Sequence, residues 1–402
     1  MMESLLLLML GLGFLLILLS GDWRLAVFYT FFIGFVQDPL RKITPGQPQY
    51  MVGLVVVAAA LTMLALYLSP RKIPFKRAFF RDTALLQYSP IFMWLLAIGC
   101  LNSFMRTGAI EVPLIGILIY LSPFLAIWLG FHFANQPGLA VKLLYFYVAM
   151  VTLFALTVMM SFWGVASPLF REVGKGLIIY LDTGIGTQGH SGLWRTSEIA
   201  AWHIGAASCF SLMLGVRTRK VALIILSAAL SLFLMYISVM TGRRKVFTLV
   251  LGFVVIYAIL IAFNARRLNR NTFFSAMGML GVAGVIILLS GGLNDLLAGS
   301  YGAFFRRGST VFGEVNTRFS SVGIGNLSSA VESAGIFGFG VGMSNINAVE
   351  SLGASIKLSS GQGGVQWIEG GLGKIIAEIG VVGLIFLRSE EHTSELQSQF
   401  RI

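Results

Sequence analysis

A chain of 402 residues with 56% hydrophobic and only 11% charged residues, at a mean hydropathy of +0.84, carries more apolar surface than a soluble core can hide, so it reads as an integral membrane protein. Its apolar runs are continuous rather than alternating, which specifies spanning helices and excludes a β-barrel. The net charge of +12 does not point to nucleic acid, because Lys and Arg stand in short clusters at the ends of apolar runs, as topology signals do.

The first run, 1–20, has a signal peptide's apolar core but no basic start and no small-residue cleavage site, so it reads as the first span. Further spans are expected near 24–37, 50–69, 88–104, 113–131, 140–162, 199–215, 221–240, 246–264, 273–291 and 372–387, giving an all-α polytopic membrane protein of about eleven spans. The run 24–37 is short for a span: tilted, re-entrant or mis-assigned. Cys100 and Cys209 lie in or beside apolar runs, with no partners for a metal site or a disulfide framework. No metal and no cofactor are expected.

Orientation comes from the short loops. Arg71, Lys72, Lys76, Arg77 and Arg81 crowd one, Arg217, Arg219 and Lys220 a second, and Arg266, Arg267 and Arg270 a third. All three fall on one side, read as cytoplasmic. The long loops 163–198 and 292–371 then fall outside. Residues 1–387 form a single transmembrane domain carrying these two loops.

One short outer loop breaks the sorting rule. Thr241-Gly-Arg-Arg-Lys245 places three cations outside. Either a nearby span is missed, or the loop is an anion site. Cations at a helix N-terminus oppose the dipole. A bound phosphate reverses that sign, because free N–H groups and guanidinium forks then converge on one anion.

The first outer loop carries His190, Arg195 and Glu198, with His203 just inside the next run. Ser197-Glu198 also fits an ordinary helix start, and His203 an interfacial histidine bonded to a carbonyl. The second outer loop holds Arg306, Arg307, Arg318 and the run Gly335-Ile-Phe-Gly-Phe-Gly-Val-Gly342. The run lacks the strand and acidic residue of a dinucleotide loop. Its glycines read as tight turns and as close backbone approach to a ligand or to the membrane surface. Lys374 and Glu378 are spaced i,i+4 in the last span; they face each other or a polar cavity, or Lys374 snorkels outward. The spans 50–69, 221–240, 246–264 and 273–291 have no central charge, which argues against an ion-coupled transporter.

After Leu387 the composition switches abruptly to a polar tail, 388–402. It looks like translated sequencing-adapter sequence, and it is set aside with His392. On that reading the C-terminus is truncated and the natural chain has further spans; the alternative is a short polar cytoplasmic tail.

Together these pieces resemble the O-antigen ligase and O-antigen polymerase superfamily of bacterial envelope-glycan glycosyltransferases. Thr241-Gly-Arg-Arg-Lys245 is similar to that family's Ser-Arg-Gly segment leading into a span. Arg318 followed by Gly335–Gly342 is similar to its Arg, spacer and Gly-x-Gly-x-Gly pattern. The segment 369–383 is similar to its closing His-Asn and Glu-x-Gly-x-x-Gly, with Glu378, Gly380 and Gly383 in register. The likeness covers about residues 190–387. Where the family has His-Asn, this chain has Glu369-Gly370.

The resemblance implies transfer or polymerisation of a polyprenyl-diphosphate-linked glycan onto an acceptor hydroxyl, without a metal, at the outer face of the bacterial inner membrane. Its partners are the lipid-linked glycan, a glycan or lipid acceptor and the membrane, not nucleic acid. Arg318, Arg243 and Glu369 are the implied catalytic residues, Glu369 as the base unless His190 or His203 substitutes. Arg244, Lys245, Arg195, His203, Gly340 and Glu378 are the implied substrate-binding residues. A reading from another class is a non-enzymatic component, either a lipid-linked glycan exporter or an envelope assembly scaffold.

Overall fold

An apolar run with no partner chain to pair with satisfies its backbone polar groups internally by forming a helix. In the computed structural model the described residues are 2–48, 51, 53–69, 85–173, 178–180, 186–218, 220–263, 278, 281, 302, 304, 320, 325–343 and 373–383. They are mainly helical. In chain order they form α1 (Met2–Ser20), α2 (Trp23–Ile43), α3 (Leu54–Leu68), α4 (Leu85–Thr107), α5 (Glu111–Ala134) and α6 (Leu139–Phe162). A 3-10 turn at Pro168–Phe170 follows, then β1 (Ile178–Tyr180) and β2 (Gly186–Gln188). Next come α7 (Ser197–Arg217), α8 (Val221–Met240), α9 (Arg244–Phe263), α10 (Asn326–Ala334) and α11, residues 373–383.

Among the described residues, three helices are long and apolar enough to cross a membrane: Leu139–Phe162, Ser197–Arg217 and Ala222–Met240. Shorter apolar helices cover Leu54–Leu68, Ile91–Thr107, Glu111–Pro123 and Thr248–Leu260. Large apolar side chains stand exposed along these helices, among them Trp94, Ile225, Leu226 and Ile256, as a lipid-facing surface requires. The chain is therefore a membrane protein by its apolar helices, three of them candidate spans among the described residues. Apart from residues 278 and 281, the expected span 273–291 lies outside the described residues, as do 306–318 and 369.

The chain divides into two compact units. The first takes in Met1–Ile17, Arg24–Ala58 and Phe133–Glu314. Its core is Phe35, Val148, Val151, Phe154, Val158, Ile204, Leu234 and Ile237, closed by the buried Trp194 of the outer loop. α7 approaches its neighbours closely because its packed face is small. Ser208 Oγ lies 2.7 Å from Ser231 Oγ, and Ser211 Oγ donates to the Ser227 carbonyl at 2.8 Å. A Cβ on Gly205 would meet Val246. Small residues and hydroxyl bonds are how helices bind one another where lipid supplies no hydrophobic drive.

α2 outruns the expected 24–37 by several residues. The apolar pattern ends at Asp38, but the helix continues through Pro39, Arg41 and Lys42 to Ile43. It can do so because its charged last turn is buried against the 163–198 loop, whose polar atoms satisfy it.

The second unit takes in Leu18–Trp23, Ala59–His132 and Val315–Ile402. Here the 338–342 run threads among α4, α5 and α11. Phe339 N–H donates to the Ala377 carbonyl at 2.6 Å, Gly340 N–H to Glu378 at 3.0 Å and Val341 N–H to Gly99 at 3.1 Å. Asn102 Nδ2 donates to the Gly338 carbonyl at 2.8 Å. Gly340 has φ +113°, and a Cβ there would collide with the backbone of Ser103. The close approach expected toward a ligand or the membrane surface is made to the chain's own helices.

Candidate functional site

Three segments expected on the outer side meet at one end of the first unit: the end of α2, the 161–198 stretch and the α8–α9 turn. His190 N–H donates to the Met240 carbonyl at 3.3 Å, and a Cβ on Gly189 would meet the Thr241 carbonyl. At the opposite end of α2, Arg24 donates to Gln136 Oε1 at 2.7 Å. The start of the 241–245 turn thus lies at the same end of the first unit as Gly189 and His190.

The α2 end supplies a buried charge cluster. Lys42 is 6% exposed. Its Nζ donates to the Leu169 carbonyl at 3.0 Å, to Ser191 Oγ at 3.2 Å and to the Gly192 carbonyl at 2.6 Å. All three ammonium donors are used. Burial lowers the Lys42 pKa to about 8, against the opposing pull of Asp38 and Glu172. Asp38 accepts from the Arg195 N–H at 3.1 Å. Its pKa is raised by burial, offset in part by that hydrogen bond and by Arg195, Lys42 and Arg41. Arg41 Nε donates to the Gln47 carbonyl at 3.0 Å. Glu172 accepts from the Ser197 N–H, and the Val173 N–H donates to the Arg195 carbonyl at 2.8 Å.

Arg195 therefore enters through its backbone, which closes the loop onto α2. Thr196 caps α7, its hydroxyl accepting from the Ile199 N–H at 3.4 Å. Glu198, in the first turn, pairs with Arg243 at 3.5 Å, the two side chains 50% and 27% exposed. Arg243 Nε is buried and has no hydrogen-bond partner among the described residues. Arg243 directly precedes α9, whose first turn carries the free N–H groups of a helix start. Lys245 is exposed one residue further on, and Arg244 begins the helix.

His203 lies deeper. Its Nδ1 is 2.7 Å from the Tyr147 hydroxyl, and Trp194 stacks on its ring at 10° and 6.0 Å. It bonds to a tyrosine of α6 rather than to an interfacial carbonyl. His190 Nδ1 is 3.1 Å from Ser161 Oγ. Its ring packs edge-on against Phe162 and tilted against Phe304. Burial pushes its pKa below the usual histidine value, and Glu172 pulls the other way. Beside it opens a cavity of about 560 Å³, lined by Ser161, Ser167, Phe170, Arg171, Glu172, Gln188 and His190 among others.

In the second unit, Gly340 and Glu378 are brought together through the backbone bond from Gly340 N–H to the Glu378 carbonyl. The Glu378 carboxylate is 3% exposed and hydrogen-bonds the Tyr120 side chain. Lys374 is exposed, so the two ionisable residues of α11 diverge. Arg318 and Glu369 lie outside the described residues.

Sequence reasoning missed Asp38, Arg41, Lys42 and Glu172. The available signal was Asp-Pro-Leu-Arg-Lys42, a charged stretch abutting an apolar run on a side where cations are scarce. Comparison with protein families, with curated proteins and with solved structures finds no match.

Proposed function

We propose that this chain is a polytopic glycosyltransferase of the bacterial inner membrane, similar to O-antigen ligases and polymerases. It moves a glycan from a polyprenyl diphosphate to an acceptor hydroxyl at the outer face, without a metal. The observation that carries this reading is Arg243: a cation at the head of α9 with its Nε buried and unpartnered among the described residues, held by Glu198 at 3.5 Å. A guanidinium poised there suits a ligand with several anionic oxygens, because fork and helix start converge on the same anion.

The chemistry follows from the charge. As the anomeric C–O bond of the donor breaks, negative charge grows on the departing diphosphate. Arg243, with Arg244 and Lys245 in the same role, stabilises that charge and lowers the barrier. Glu369 is the base that the resemblance implies.

The test is lipid-linked glycan transfer in membranes with Arg243→Ala and Arg318→Ala, with protein level as control. Each is expected to abolish transfer and to leave lipid-linked glycan accumulated on the outer face. Full transfer by Arg243→Ala overturns the reading. Glycan trapped on the inner face assigns the chain to export instead.

A further inference from the structure

The cavity beside His190 is not used by the diphosphate reading, yet its wall is continuous with the cation. Glu172 lines the cavity and accepts from the Ser197 N–H; the next residue, Glu198, holds Arg243. His190 also lines the cavity and bonds through its N–H to Met240, three positions before Arg243. Two lining residues are thus joined by hydrogen bonds and short stretches of chain to Arg243.

The cavity's chemistry suits a carbohydrate. Its volume of about 560 Å³ falls in the range of small-ligand pockets, about 300–1,000 Å³. Arg171 and Gln188 supply donors, Glu172 supplies acceptors, and Phe170 and Pro168 offer apolar faces for sugar C–H groups.

We propose that this cavity binds the acceptor sugar and that His190, rather than a residue of the 292–371 loop, takes the proton from its hydroxyl. The proposal rests on the transferase reading. In the tautomer whose Nδ1–H donates to Ser161 Oγ, 3.1 Å away, the imidazole keeps a lone pair on Nε2 for the acceptor. The acceptor O–H bond and the donor's anomeric C–O bond to phosphate break, and the anomeric carbon bonds to the acceptor oxygen. The diphosphate leaves with its electron pair, and the proton passes to the imidazole. Among the described residues, the charged groups that line the cavity with the ring are Glu172 and Arg171, and α6 contributes Ser161 and Phe162 at this point. Burial outweighs Glu172, so the imidazole is neutral at pH 7 and competent as a base.

The experiment is transfer in membranes from a polyprenyl-diphosphate glycan to a free oligosaccharide acceptor, across pH 5–8. Wild type is expected to show an acidic limb centred below the usual histidine value. His190→Gln is expected to lose the limb and to lower kcat about 10²–10⁴-fold, with the protein still present. Ala166→Trp, which adds bulk at the cavity's exposed rim, is expected to raise the acceptor KM several-fold and to leave the donor KM unchanged. Wild-type rates in both variants, with Arg243→Ala inactive, overturn the cavity assignment and leave the transferase reading standing. Activity in Arg243→Ala overturns the transferase reading itself.

Discussion

Lys42 Nζ donates to the Gly192 carbonyl at 2.6 Å, 150 residues further along the chain. This bond, with those to Leu169 and Ser191, fastens the connection between α6 and α7 to the end of α2. A buried ammonium is stable only while its donors are matched, and the matched carbonyls in turn depend on it. Gly192 has φ +55°, and a Cβ there would meet Thr157 and Val158, so the loop reaches Lys42 only because this position is glycine.

Lys42→Met is expected to cost about 3–5 kcal/mol, the usual penalty for removing one partner of a buried charge cluster. The pH dependence has a definite sign. Burial holds the Lys42 pKa at about 8 in the folded chain, below the ordinary lysine value of 10.5. Between those values the unfolded chain binds more protons than the folded one, so wild-type stability rises with pH. Melting of the detergent-solubilised protein should show the gap between wild type and Lys42→Met widening above pH 8. A gap that narrows there contradicts the placement of Lys42 as a buried cation.

Glu198 and Arg243 define a second test. The carboxylate shares the cation that the diphosphate would take, so it competes with the ligand. Glu198→Gln is expected to tighten binding of inorganic pyrophosphate several-fold at low ionic strength, with the advantage fading as salt rises. Arg243→Lys should restore only part of the binding lost in Arg243→Ala, because an ammonium cannot make the bidentate contact. Unchanged pyrophosphate affinity in Glu198→Gln removes the pair from the anion site.

The helices were legible because each apolar run carries its own instruction: a backbone in lipid must satisfy itself locally. The end of α2 was not, because the groups that let Arg41 and Lys42 stay helical and buried come from residues 169, 191, 192 and 195, which no local pattern announces. The 241–245 turn is legible as an anomaly, three cations where few are expected, but its contact partners are not: Met240 and Thr241 lie against His190 and Gly189. Gly335–Gly342 was legible as backbone freedom but not as to its partner. That partner is backbone at Gly99, Ser103 and Glu378, two of them more than 200 positions away.

The glycine run yields a prediction separate from any chemistry. Gly340 combines φ +113° with contact against the Ser103 backbone. Gly340→Ala adds strain of about 1–3 kcal/mol from the backbone conformation alone, and the collision adds to it because a helix backbone cannot give way as a side chain can. The expected result is a lower melting temperature and less protein in membranes. Activity per folded molecule should change little. A stable Gly340→Ala protein that has lost transfer would instead make this glycine part of the substrate site.

The location of the cations is testable without any substrate. Arg195 and Arg243 are joined through Thr196, Ser197 and Glu198 at one end of the first unit, so both must open to the same compartment. Single cysteines at 195, 243 and 217, in a background lacking Cys100 and Cys209, should divide into two classes with a membrane-impermeant thiol reagent. Positions 195 and 243 are expected to label in intact cells. Position 217, at the far end of α7, should label only after the membrane is opened, since a helix of 21 residues rises about 1.5 Å per residue and so is long enough to cross the hydrocarbon layer. Labelling of 217 together with 243 in intact cells would mean that α7 does not cross, and the outer anion site would lose its basis.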